Sequence, residues 1–224
     1  MREIVLDTET TGFDPEQGDR IVEIGAVELM RHVPTGRTYH QYINPERAMP
    51  QEAFEVHGLG DEFLADKPKF AQVGQAFLDF VGDAKLVIHN AAFDMKFLNA
   101  ELGWMRLPAL PWDQAIDTLA IARKKFPGSP ASLDALCRRF AIDNSARTLH
   151  AALLDSEILA EVYLQLIGGR QPYFALSQPT PTSGQSDQPS TLPPRPTSLL
   201  ARMTVTHLPP PPPYIHSHTA HPPP

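Results

Sequence analysis

Asp7 and Glu9 stand two residues apart in the opening run MREIVLDTET, which otherwise reads as apolar strand, and chemistry is first suggested there. Side chains alternate along a strand, so acids at i and i+2 project from the same face of a sheet. Side by side they repel each other, and a divalent cation held between them offsets that repulsion. Thr10, Thr11 and Gly12 follow, offering hydroxyls and a permissive backbone suited to approaching a sugar-phosphate. A third acid, Asp94, closes the segment Val87-Ile88-His89-Asn90-Ala91-Ala92-Phe93-Asp94, where a strand runs into a helix that Asn90 is expected to cap. A fourth, Asp155, comes five residues after His150. On a continuous helix five residues turn through about 500°, which leaves the two side chains on different faces. They can serve one site only if His150 lies in a loop or first turn while Asp155 points inward from the helix proper. A histidine so placed suits proton transfer better than metal binding. Taken singly, each acid reads better as a solvated or helix-terminal carboxylate, and His150 as a surface histidine.

The elements that must position these residues are legible in outline. REIVLDTE, RIVEIGAVELM and GRTYHQYI are rich in β-branched and aromatic residues and are separated by Gly, Pro and Asp, so they read as three strands in antiparallel succession. From Pro50 onward helices alternate with short strands: a helix over 68–82, a strand from Lys85 to His89, a helix from Ala91 to Leu102, helices over 114–125 and 131–140, and a last helix from about Thr148 to Ile167, stopped by Gly168-Gly169. The class is α/β with a mixed sheet, and no internal repeat of the solenoid kind is present. His89 reads as a packed or hydrogen-bonded residue, and His32 and His40, with no acid motif nearby, as surface residues. Cys137, the single cysteine, excludes a disulfide framework and reads as a small buried hydrophobe in a reducing cytoplasm. The apolar run Ile4-Val5-Leu6 is too short for a signal peptide or a membrane span, so neither is expected.

Composition changes near Gly168-Gly169. Residues 172–224 hold 15 of the 24 prolines and 4 of the 9 histidines, with Asp187 as the one acid. Such a segment cannot bury enough apolar area to offset its chain entropy, so 1–170 is expected to be the folded domain and 171–224 a disordered tail with polyproline II stretches. The formal charge of −7, from 19 basic and 26 acidic residues, is the wrong sign for gripping phosphates. The objection weakens if the negative charge is concentrated in a metal site and a partner supplies most of the hold on nucleic acid.

As a set, these residues resemble the DnaQ-like exonuclease family, the histidine-containing branch of the DEDD group. Asp7-Thr8-Glu9-Thr10-Thr11-Gly12 is similar to that family's first motif, His89-Asn90-Ala91-Ala92-Phe93-Asp94 to its second, and His150 with Asp155 to its third. More narrowly, Ile21-Val22-Glu23-Ile24-Gly25-Ala26-Val27-Glu28, Phe54-Glu55-Val56-His57-Gly58-Leu59 and Ser132-Leu133-Asp134-Ala135-Leu136-Cys137 resemble the proofreading exonucleases of bacterial replicative polymerases. The resemblance implies a ribonuclease H-like fold with a mixed five-stranded sheet, and a 3′→5′ exonuclease acting on DNA 3′ ends with two Mg²⁺ or Mn²⁺ ions. Asp7, Glu9 and Asp155 would hold one ion, Asp7 would touch the second, and Asp94 would reach it through water, with His150 taking the proton of the attacking water. It further implies that Glu52 and His57 contact the terminal nucleotide, that Thr10, Val56 and Phe93 line the substrate site, and that the polymerase III alpha subunit and a theta-like subunit are partners. Ordinary core packing is an equal reading for Val56 and Phe93. Gln171-Pro172-Tyr173-Phe174-Ala175-Leu176 resembles a sliding-clamp peptide, whereas Ser198-Leu199-Leu200-Ala201-Arg202-Met203, followed by prolines, leaves no room for a long polymerase-binding helix. Trimming of RNA 3′ ends by the same carboxylates, and a catalytically idle adaptor, are the competing readings.

Overall fold

The computed structural model describes residues 1–147 and 149–169. The expected disordered tail, the clamp-like peptide at 171–176 and the apolar stretch at 198–203 lie outside the described residues.

Five strands form one mixed sheet in the order β3-β2-β1-β4-β5. β1 (Arg2–Thr10) lies in the middle, antiparallel to β2 (Ile21–Met30) and parallel to β4 (Lys85–Ile88). β3 (Val33–Tyr42) continues the antiparallel hairpin, and β5 (Ala115–Asp117) pairs in parallel with β4. Around the sheet lie α1 (Gln51–His57), α2 (Asp61–Leu64), α3 (Phe70–Val81), α4 (Ala91–Trp104), α5 (Thr118–Lys125), α6 (Leu133–Phe140) and α7 (Ala152–Leu166).

The apolar run in β1 is continuous because both faces of the strand are covered. Ile4 and Leu6 pack with Phe70, Phe77 and Phe97 of α3 and α4. Val5 points to the other side and packs with Leu159 and Tyr163 of α7. The alternation then continues past the apolar residues, so Asp7 and Glu9 follow Val5 onto the α7 side while Thr8 follows Leu6 toward α4. Phe77 and Phe97 are fully buried, and truncating either to Ala costs about 3–5 kcal/mol in typical cores.

Local reading misjudged several features: α1 and α2 were not expected, and the last helix, expected from about Thr148, begins only at Ala152, leaving His150 in the loop before it. The helix expected over 114–125 begins only at Thr118, because Ala115-Ile116-Asp117 is hydrogen-bonded to Leu86-Val87-Ile88 as an edge strand, a pairing across some thirty residues that no local pattern reveals. Asp117 then caps α5, its carboxylate accepting from the amides of Leu119 and Ala120. Asn90 precedes α4 as expected but makes no side-chain cap; its backbone is left-handed (φ 70°) and its own amide donates to Asp117. His32 and His40 are not free surface residues: His40 bonds the buried Glu23 across the hairpin at 2.7 Å, and His32 stands 2.8 Å from the buried Glu3 of β1 without a hydrogen bond. His89 and Cys137 behave as read, His89 bonding Thr118 at 3.0 Å and Cys137 being fully buried.

One contact fixes the last helix on the sheet. Gly25 of β2 lies opposite Asp7 of β1, and a Cβ added at Gly25 would stand 2.1 Å from the backbone of Ala152 and Leu153 where α7 begins. Ser156 on that helix donates to the Gly25 carbonyl at 2.9 Å. Only glycine allows so close an approach. Gly25→Ala is therefore expected to lower stability by about 1–3 kcal/mol, the range for overpacking, and to displace the start of α7. Denaturant melts of the two proteins check this; equal midpoints would show that the contact carries no such constraint.

Candidate active site

Three elements bring the acids together at the carboxyl end of the central strands. Asp7 and Glu9 come from β1, Asp94 from the first turn of α4, and Asp155 from the first turn of α7. Glu9, Asp94 and Asp155 are 7%, 2% and 3% exposed. Ligand atoms of Glu9, His150 and Asp155 lie within 4.8 Å of one another. Asp94 is held from the opposite side of β1, its carboxylate accepting from the Thr8 hydroxyl at 2.7 Å. His150 stands in the extended stretch before α7, its amide bonded to the Val56 carbonyl at 3.1 Å, and its imidazole Nδ1 lies 3.2 Å from Asp155 Oδ2.

Crowding has an electrostatic consequence. Burial, then Asp94, Glu9 and Asp155 in turn, push the Asp7 carboxyl well above the usual carboxylate range. Burial and the neighbouring acids, Glu23 first, push Glu9 up to about 8. Burial pushes Asp94 up to about 7, against the hydrogen bond from Thr8. Asp155 moves the other way: burial raises it, but His150 and Arg147 together outweigh that and hold it below its usual value. Hard oxygen donors, close-set and three of them reluctant to ionise on their own, with one imidazole at the edge, fit a divalent cation.

Arg147 is the residue of this cluster that local reading missed. Its Nε and Nη2 take the two oxygens of Asp155 at 2.5 and 2.8 Å, its Nη1 takes Asp134 at 2.8 Å, and Nη2 lies 2.7 Å from His150 Nδ1. Asp134 had been read only as part of a family-like segment. The signal for the arginine was its place three residues before His150, which acquires meaning only once the loop is folded back over the acids.

The residues expected on the substrate side line a cleft of about 520 Å³ beside the carboxylates, with Glu9, Thr10, Glu52, Val56, His57 and Phe93 in its wall. Val56 is 46% exposed, so core packing is not its role. Phe93 is half-buried and packs its ring 5.0 Å from that of Phe97. His57 is buried; its Nδ1 accepts from the Leu59 amide at 3.0 Å, while its Nε2 has no partner among the described residues. The Thr10 hydroxyl is engaged, donating to the Gly12 carbonyl at 2.6 Å. Gly12 also lines the cleft, and a Cβ there would stand 2.3 Å from the Asp19 carboxylate. A second cavity, about 570 Å³, opens between β3 and α7 away from the acids.

Residues 4–163 match the family model described as Exonuclease, of the RNase T type. Exonuclease X in complex with 5′ overhanging duplex DNA is similar in structure, with a TM-score of 0.59 and 28% identity over 73% of this chain and 90% of that one. The nuclease domain of 3′hExo, a DEDDh family member bound to rAMP, superposes with a TM-score of 0.65 at 23% identity, covering 74% and 91% of the two chains, and so shares the fold. Fold and carboxylate cluster together define a ribonuclease H-like exonuclease, a class that depends on divalent metal. Nearer relatives are the DNA polymerase III subunit epsilon of Rickettsia felis, 57% identical over 79% of this chain and 78% of that protein, and that of Escherichia coli, 52% identical over 75% and 72%. The chain belongs to the exonuclease family, on the branch of the DNA polymerase III epsilon subunits.

The raised carboxyls make a test in solution. Groups whose folded pKa lies above the unfolded value bind extra protons in the native state, so their contribution to stability is lost as pH rises toward the folded value. His57 and His89, which burial pushes down, act oppositely, but their effect is complete once pH passes the ordinary histidine value. Between about pH 7 and 8.5 the carboxylates alone remain, and the chelated protein should lose thermal stability across that interval, with Mn²⁺ reversing the loss. A midpoint that is flat or rising with chelator present would contradict the raised carboxyls.

Proposed function

We propose that this chain removes 5′-mononucleotides from DNA 3′ ends by metal-dependent hydrolysis and thereby proofreads for a bacterial DNA polymerase III. The reading is carried by the convergence of Asp7, Glu9, Asp94 and Asp155, with His150 at their edge, beside a cleft able to receive a strand end. Two divalent ions suit four carboxylates by charge: Asp7, Glu9 and Asp155 would hold one, Asp7 and Asp94 the other. Bound there, Mg²⁺ or Mn²⁺ would supply Lewis-acid stabilisation of the oxygens that attack and leave phosphorus.

The protein's own groups do the rest. His150, half-exposed and outside the helix, accepts the proton of the attacking water. Glu52 and the unpartnered Nε2 of His57 receive the terminal nucleotide, and Val56 and Phe93 give its base or sugar an apolar wall. DNA is the substrate of this reading because the relatives are polymerase subunits. The alpha subunit, a theta-like subunit and the sliding clamp are its proposed partners, and the bacterial cytoplasm its place. No helix among the described residues is long and apolar enough to cross a membrane.

End-labelled single-stranded DNA, mismatched primer-template and RNA, each incubated with Mg²⁺ and with chelator, test the substrate. Stepwise shortening of the DNA with metal alone is the expected result, and preference for RNA would overturn the proofreading reading. Asp7→Ala should abolish cleavage while leaving the fold intact, because it relieves repulsion among the acids. His150→Ala should slow the reaction roughly 10²- to 10⁴-fold, the range for a positioned base. Turnover at the wild-type rate by either variant would refute its assignment.

A further inference from the structure

We propose that Arg147 is a positioning residue of the hydrolysis, which fastens Asp155 in place and holds the His150 imidazole against the carboxylate cluster. The inference rests on the roles given above to His150 and Asp155, and it concerns how two groups on a loop and a helix end are kept in register.

Of the four acids, three have anchors independent of the segment 141–151. Asp7 and Glu9 belong to the central strand, and Asp94 is tied to Thr8 of that strand. His150 has one backbone anchor, the Val56 carbonyl, and its side chain is 48% exposed. The guanidinium of Arg147 supplies what is missing. Its side chain is 9% exposed, and its donors diverge to three partners at once: both oxygens of Asp155, Asp134 at the head of α6, and His150 Nδ1. Asp134 also accepts from the Asn144 side chain at 3.0 Å, so the loop is clamped on its outer side as well.

A guanidinium suits this task because its donors are fixed in one plane and pair bidentately with a carboxylate. A lysine could carry the charge to one partner but could not span Asp155, Asp134 and His150 together. Charge and geometry are therefore separable by substitution. Misplacement of a reacting group by about 1 Å can cost on the order of 100-fold in rate, so loosening this clamp should appear in kcat rather than in substrate binding.

The test compares Arg147→Ala, Arg147→Lys and Asp134→Asn with the wild-type full-length chain on end-labelled single-stranded DNA, with thermal melts to establish folding. Arg147→Ala should lose about tenfold or more in kcat with KM changed by less than about threefold, and added guanidinium should restore part of the rate. Arg147→Lys and Asp134→Asn should fall between. A merely structural arginine would show no rescue by free guanidinium at constant fold. The proposal is overturned if Arg147→Ala turns over within about twofold of wild type, or if its loss responds neither to guanidinium nor to lysine. Should Arg147→Ala fail to fold, Arg147→Lys and Asp134→Asn decide, and wild-type kcat in both overturns it. His150→Ala serves as the control: if it keeps the wild-type rate, the assignment of His150 fails. If it loses rate while the Arg147 variants do not, only the present inference fails.

Discussion

Mutual repulsion among Asp7, Glu9, Asp94 and Asp155 is the constraint around which this fold is organised. Left to themselves, carboxylates sharing a site spread apart or take up protons; burial raises Asp7, Glu9 and Asp94, and at Asp7 and Glu9 the neighbouring acids add to it. The first response is blocked by packing. β1 is hydrogen-bonded on both sides and sealed on both faces by large apolar side chains, so Asp7 and Glu9 cannot withdraw without breaking the core. The energy that forces the acids together is thus apolar burial, most of it remote from the site.

The division of β1 into two faces explains how two helices on opposite sides of a sheet can serve one centre. Residues in phase with Val5 face α7, and residues in phase with Leu6 face the layer containing α4. At the end of the strand this puts Asp7 and Glu9 toward Asp155, while Thr8 reaches over to fix Asp94. Gly25 completes the arrangement, because its missing side chain lets the start of α7 descend to the strand beside Asp7. A helix held one side-chain diameter farther out would carry Asp155 away from the pair.

How much of this could be read from the residues follows from which interactions are local. Strand alternation placed Asp7 and Glu9 on one face, and helical geometry required His150 to lie outside the helix that carries Asp155; both depend on covalent periodicity alone. The three long strands and most helices were legible for the same reason. β5 was not, since a three-residue edge strand owes its existence to β4. Nor was the approach of His32 to Glu3, which the β1–β2 pairing creates, or the bond of His40 to Glu23, which the β2–β3 hairpin creates. Arg147 was illegible for a related reason: its partners lie three, eight and thirteen residues away, and only the folded loop turns its side chain inward.

Other buried acids in the same chain show what distinguishes the site. Glu28 is answered by Arg2 and Arg37, and Glu101 by Arg20. Glu23 meets His40, and Glu3 accepts from the Tyr163 hydroxyl beside His32. Each of these carboxylates has its own donor, as a buried charge ordinarily must. Among the described residues, Arg147 is the one arginine or lysine ion-paired with any of Asp7, Glu9, Asp94 and Asp155, and its bond is to Asp155; Asp94 has only the Thr8 hydroxyl. The overall negative charge is therefore not spread evenly through the interior. Arginines answer it at Glu28 and Glu101, and it is left in deficit at one end of the sheet, where a divalent cation has most to gain by binding and where a phosphate could then be drawn to an otherwise repellent protein.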